Sequence, residues 1–344
     1  MISFLSYFTL SFLIFSFIFG QPAYAKNIFI LMSYCETDSC GGPQYRGVLD
    51  ALQHEGLNKA KITRYFLNSK TLKKDELKEK IRIAKFIHEK LNPDVAIAID
   101  DLAFQVLAPY YVKSNHGYLI FTGTNISPEE YNRRFSFHKN RIPTKRITGV
   151  YEKLFIKKQL KFFSLLMKKK IGKIAILYSD DPVGNMVKNQ IIDEIKGSSY
   201  EGIVFPVKVS TLAEAIKAAK EIQEDDEVKA YFPITLSLKD NVSNRHLTIN
   251  EIAPILTTII KKPDLTVNAS FVDLGFWGGV SVDFYHMGYE AGELACLLLK
   301  GYDIKKIKIR DAKRAIIVIN LKRNRELNIK IPTVVMGMVD RFIQ

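Results

Sequence analysis

NPDVAIAIDDLAFQVLAPYY, residues 92–111, decides the fold. Asn92 and Pro93 close whatever precedes them, VAIAI at 95–99 is apolar without a break, and two aspartates then open a stretch of helical spacing. An apolar run this short, bounded by turn residues and with no polar face, reads as a strand buried on both sides. Burying both sides takes two layers of helix, which makes the sheet parallel and the class α/β.

The same unit recurs on either side. NIFILM at 27–32 is a first strand, followed by a polar, glycine-bearing loop and a helix over about 44–54. A strand at 62–67 leads to an amphipathic helix over 73–91, with Leu77, Ile81 and Ala84 on its apolar stripe. After the helix at 102–112 comes a strand at 118–122. The stretch 125–149 is rich in Arg, Lys, Asn and Pro, shows no period and reads as a crossing between two lobes. The alternation then restarts, with strands at 173–178, 202–207, 230–234, 265–269 and 315–319 separated by helices, of which 284–300 is the last long one. The expectation is two Rossmann-like lobes with parallel sheets, joined by a hinge and separated by a cleft.

Composition agrees with a folded body. The chain has 344 residues, 47% apolar and 25% charged, which excludes global disorder, and three cysteines exclude a disulfide-built miniprotein. The net charge of +14 is spread as lysine doublets and triplets such as Lys168, Lys169 and Lys170. Scattered lysine describes a solvated surface, so no nucleic-acid partner is expected, only a weak pull toward anionic surfaces. Residues 1–25 carry no charged side chain, and Ala23 and Ala25 flank Tyr24 in an A-x-A pattern after the helix breakers Gly20 and Pro22. This reads as an export signal cleaved after Ala25, the alternative being a retained N-terminal anchor, because the apolar run approaches the length of a spanning helix. Either way the body is expected in the periplasm or outside the cell. There Cys35 and Cys40 have the option of a disulfide or of two free thiols, and Cys296 reads as a small core residue.

Ligands in open α/β sheets bind outside the carboxyl ends of the strands. The loops at those ends hold Ser33 and Tyr34, Asp100 and Asp101, Gly123, Thr124 and Asn125, and, in the second half, Asp180 and Asp181. Asp101 and Asp180 or Asp181 are also good helix caps, and Pro182 favours that role for Asp181. Among aromatics, Tyr34, Tyr285, Phe276 and the lone Trp277 are suited to gripping a small ligand, the last two within a glycine-rich segment that reads as a bend or hinge. The motifs of a nucleophile elbow, a phosphate loop and a zinc protease are absent; Gly42 to Gly47 has phosphate-loop spacing, but Val48 stands where lysine is required. The six histidines show no metal-ligand spacing. No catalytic residue, metal or cofactor is expected.

With these residues in place, the chain resembles the ABC transporter substrate-binding proteins with a type 1 periplasmic-binding fold. The likeness rests on the "SY" after the first strand, residues 92–111, "FTGTN" at 121–125, "IGKIAILYSDDPVGN" at 171–185 and "HMGYEAGELACLLLKGYDIKKIKI" followed by "AIIVINLKRNRELNIKIP" near the end. It spans nearly the whole chain after residue 25. It implies a first lobe of 26–125 plus about 276–304 and a second of about 145–275 plus 305–344. It also implies closure on a small ligand, an amino acid or related metabolite, and a membrane permease as partner. By position, the ligand-binding residues implied are Ser33, Tyr34, Asp101, Thr124, Asn125, Asp180, Phe276 and Trp277. Two alternatives stay open: a secreted adaptor that presents its ligand to a membrane sensor, and an exported α/β enzyme.

Overall fold

A computed structural model of the chain describes residues 26–57, 60–167, 171–243 and 245–344. The expected export signal, residues 1–25, lies outside the described residues. Among those described, no helix is long and apolar enough to cross a membrane.

The first strand, Asn27–Met32, shows why the sheets are covered twice. Ile28, Ile30 and Met32 enter one apolar cluster and Phe29 and Leu31 another, on the opposite face. Around it six parallel strands lie in the order Arg310–Asp311, Ile147–Tyr151, Tyr118–Thr124, Val95–Ile99, Asn27–Met32, Lys61–Phe66. The second sheet is built on Val228–Ile234, Lys173–Ser179 and Val204–Val209, again parallel. Isolated parallel bridges extend it through 264–268 to Gly278–Val282, which runs antiparallel to Ala315–Asn320.

Sheet membership draws the lobe boundaries elsewhere than the sequence pattern does. Ile147–Tyr151, inside the stretch read as a crossing, is the neighbour of Tyr118–Thr124 in the first sheet. ITGVY is a five-residue strand without turn signals of its own, so the charged sequence before it hides it. Gly278–Val282, expected in the first lobe, pairs in the second sheet, and Arg310–Asp311, expected in the second lobe, edges the first. The chain therefore crosses between lobes three times, near residues 152, 283 and 312.

After the second crossing, the helix Phe284–Leu299 packs back on Gly41–His54. The two backbones touch at glycines: a Cβ on Gly47 would sit 2.1 Å from the Tyr285 carbonyl oxygen, and one on Gly288 2.0 Å from that of Gln44. Of the two glycines with phosphate-loop-like spacing, Gly47 thus serves close helix packing, while a Cβ on Gly42 would meet the Glu36 carbonyl of the preceding loop at 2.6 Å.

The second lobe is closed by a buried ion pair. Arg323, 1% exposed, donates from Nε and Nη2 to Asp264 Oδ1 at 3.1 and 2.7 Å, and also to the carbonyls of Thr257 and Ile260. The other Asp264 oxygen accepts the Trp277 backbone N–H. Burial lifts the Asp264 carboxyl to about 6 despite the opposing guanidinium. Breaking such a pair from one side costs about 3–5 kcal/mol, because it strands a buried charge. Urea unfolding of Arg323→Met is expected to show a loss of that size. Adding Asp264→Asn, which removes the stranded charge and keeps an acceptor for Trp277, is expected to recover part of it. A loss below about 1 kcal/mol for Arg323→Met would show that the pair does not hold this lobe.

Candidate functional site

The carboxyl ends of both sheets face each other across a cavity of about 90 Å³. From the first lobe its wall takes Tyr34, Cys40, Lys70, Asp100 and Asn125; from the second, the apolar Val183, Val187, Ile234, Val267 and Phe271. Glu152 and Leu154, at the first crossing, and Phe284, at the second, form the back. A larger groove of about 430 Å³ runs beside Lys113, Lys145, Arg146 and Asp303. It lies at the amino ends of the first lobe's strands, where α/β sheets do not place ligands.

Asp100 is the most constrained residue in the cavity. It stands just after Val95–Ile99 with φ 77° and ψ 168°, an extended positive-φ region used almost only by glycine, which costs other residues about 1–3 kcal/mol. The turn lets its Oδ1 accept from the Asp101 backbone N–H at 2.6 Å, capping the next helix while its carboxyl stays 7% exposed in the cavity wall. Burial and then the Asp101 charge push its pKa up to about 8, against the Tyr34 hydroxyl, the Asp101 N–H and Lys70. Glu152, also 7% exposed, is raised well above the carboxylate range by burial and by the charges of Asp100 and Asp101, with the Asn125 amide opposing. Burial and Asp100 likewise hold the Tyr34 phenol protonated.

The cation nearby is already engaged. Lys70 Nζ lies 2.6 Å from Asp38 and stacks 3.8 Å above the centre of the Tyr34 ring. Asp38 in turn accepts from the Cys40 and Gly41 backbone N–H groups at 2.9 Å, capping Gly41–His54. Across the cavity, Asp181 caps Pro182–Ile195 through the Gly184 N–H at 2.8 Å.

The structure brings together only part of the predicted set. Tyr34 and Asn125 line the cavity. Ser33 lies beneath it, donating to the Ile99 carbonyl and accepting from the Ala103 N–H, which ties strand to helix. Asp101 turns away from the cavity to accept from Asn125 N, Ile126 N and the Tyr131 hydroxyl, fixing the following loop. Thr124 is buried outside the cavity wall, and its hydroxyl has no partner among the described residues. Asp180 is on the surface, 3.1 Å from Lys208, which holds its carboxyl below the usual range.

Phe276 and Trp277 are core residues, both 0% exposed. Gly278, next to Trp277, serves strand pairing: a Cβ there would lie 2.1 Å from the Val318 carbonyl oxygen. The backbone consequently turns the indole inward onto Phe162 and Phe163, with Nε1 donating to Asn324 Oδ1 at 3.0 Å. Tyr285 reaches Asp50 on the outside of the first lobe.

Cys35 and Cys40 are free. Burial pushes the Cys40 thiol up to about 12, and its sulfur accepts from Asn268 Nδ2 at 3.0 Å, so that loop meets the second lobe. Sequence reasoning missed Asp100 in favour of its neighbour, and missed Lys70 and Glu152 altogether. The strand-end rule reached both aspartates, but only the sign of φ at Asp100 separates them, and Glu152 follows the strand that went unread.

Comparison with known proteins agrees with this geometry. A family profile described as "ABC transporter substrate binding protein" matches residues 33–342. No curated protein matches the chain. Among solved structures, an ABC domain in complex with L-Trp from Streptococcus pneumoniae is 20% identical, with TM-score 0.65 over 93% of this chain and 100% of that one. A ligand-free, open substrate-binding protein with adhesive properties from Clostridium difficile is 15% identical, with TM-score 0.67 over 93% and 100%. A conserved domain protein from Vibrio cholerae is 17% identical, with TM-score 0.67 over 92% and 99%. With two parallel-sheet lobes meeting at a cavity, and a family match over all but the ends, the chain belongs to the ABC transporter substrate-binding proteins of the type 1 periplasmic-binding fold.

Proposed function

We propose that this protein is an exported solute-binding protein that closes its lobes on a small nitrogen-bearing metabolite, an amino acid or a relative of one, and delivers it to the membrane permease of an ABC importer. The observation that carries this reading is the cavity whose wall is shared by both lobes and by two of the crossings. A ligand touching Tyr34 and Asp100 on one side and Val187 and Phe271 on the other binds the closed arrangement better than the open one. That difference in affinity is the driving force for closure. The three crossings are short, so closure is a rigid-body rotation about residues near 152, 283 and 312.

Thermal unfolding of the purified protein against amino acids, amines, sugars and carboxylates tests this. A ligand present at about a hundred times its Kd stabilises the native state by about 2.7 kcal/mol, and at least one compound is expected to raise the melting temperature by several degrees. The same compound is expected to lower the radius of gyration in solution scattering, and Phe271→Ala to weaken it by about tenfold or more. If no compound stabilises the protein while one of them is turned over, the protein is an enzyme and not a carrier.

The cavity acids also imply a stability cost kept for function. Asp100 has a higher pKa folded than unfolded, so the folded chain holds the extra proton and loses stability as pH rises from about 4 to 8. Asparagine has nearly the same shape, and its side-chain oxygen caps the same N–H without that charge. Asp100→Asn is therefore expected to stabilise the ligand-free protein by about 1–3 kcal/mol at pH 8, and by less at pH 5. Destabilisation at pH 8 would show that Asp100 is a structural anion.

A further inference from the structure

The ionisable groups of the cavity wall that form no ion pair among the described residues include two acids. Asp100 and Glu152 are buried in its wall, and Asp101 backs Asp100 from the same helix start. The one basic side chain in the wall, Lys70, is neutralised by Asp38 at 2.6 Å. A ligand carboxylate would ordinarily find its place at a helix N-terminus. Here three of the helices that open onto the cavity already have their N-terminal N–H groups met by side chains of the protein: Gly41–His54 by Asp38, Asp101–Lys113 by Asp100, and Pro182–Ile195 by Asp181. Opposite the acids the wall is apolar, from Val183 and Val187 to Val267 and Phe271. The Thr235 hydroxyl, also in the wall, is buried without a partner among the described residues.

We propose that the ligand is an organic amine: a cation with a compact apolar or aliphatic body and no carboxylate, its ammonium held between Asp100 and Glu152 and its body against the second lobe. This deepens the solute-binding reading above and rests on it. An ammonium supplies what the two acids lack, a charge partner within the same low-dielectric site. A zwitterion brings the same ammonium at the cost of placing a carboxylate where no uncommitted cation faces it. Binding is linked to protonation. The groups facing Asp100 are Tyr34, Asp101, Lys70 and Glu152; those facing Glu152 are Asp100, Asp101, Glu194 and the Asn125 amide. Both acids hold their protons to higher pH than ordinary carboxylates, so a cation displaces protons and binds more tightly as pH rises.

Matched pairs that differ only by a carboxylate provide the test: tyramine against L-tyrosine and putrescine against L-ornithine, measured by calorimetry with the wild-type protein. At least one amine is expected to bind about tenfold or more tightly than its amino acid, since each charged group left unpaired on burial costs upward of about 1.4 kcal/mol. Its affinity is expected to rise between pH 6 and 8 and to fall about tenfold or more in Asp100→Asn and in Glu152→Gln, two variants whose folding is checked by their melting temperatures. An amino acid that binds as tightly as its amine, or a sugar or carboxylate that binds while both amines fail, overturns the amine assignment and leaves the solute-binding reading standing. Failure of every compound class overturns both.

Discussion

A carboxylate moved from water into a protein interior loses several kcal/mol of hydration, which a counter-charge, hydrogen bonds or a retained proton must offset. This chain meets the constraint in two ways. Asp264 is met by Arg323, whose guanidinium also reaches two backbone carbonyls, and the second lobe is closed around that pair. Asp100 and Glu152, in the cavity wall at the junction of the lobes, form no such ion pair among the described residues and keep their protons to higher pH. A folded protein gains no stability from the second arrangement, and the place where it occurs is a cavity.

The rest of the architecture serves to hold those two acids there. Val95–Ile99, buried on both faces, is followed by Asp100 at positive φ, and Ser33 and Asp101 lock the turn from below. Ile147–Tyr151 delivers Glu152 to the first crossing, where Gln190 of the second lobe donates to its backbone carbonyl at 2.6 Å. The helix Phe284–Leu299 returns to the first lobe through its glycine contact with Gly41–His54, so the Phe284 end stays at the back of the cavity. The apolar wall on the second lobe meets the first lobe where Asn268 donates to the Cys40 sulfur.

Much of this was legible from residue patterns, because burial on both faces leaves an unmistakable run such as VAIAI, and the order of such runs specifies two parallel-sheet lobes. Strand Ile147–Tyr151 was not, since a short strand flanked by charge carries no period, and its loss displaced both lobe boundaries and hid Glu152. At the site, the strand-end rule located Tyr34, Asn125 and the Asp100–Asp101 pair, but which aspartate lines the cavity depends on one backbone angle. Trp277 misled for a physical reason: a glycine-rich loop and a strand edge that needs glycine for close pairing look alike in sequence.

The central claim is that the two cavity acids wait in protonated form for a cationic ligand. Carbon-13 NMR of the Asp100 and Glu152 carboxyl carbons, titrated with and without saturating amine, measures this directly. The account predicts that both titrate well above the ordinary carboxylate range in the free protein and that both drop when the amine is bound. Carboxyls that titrate in the ordinary range in the free protein, or that do not move on binding, would contradict it.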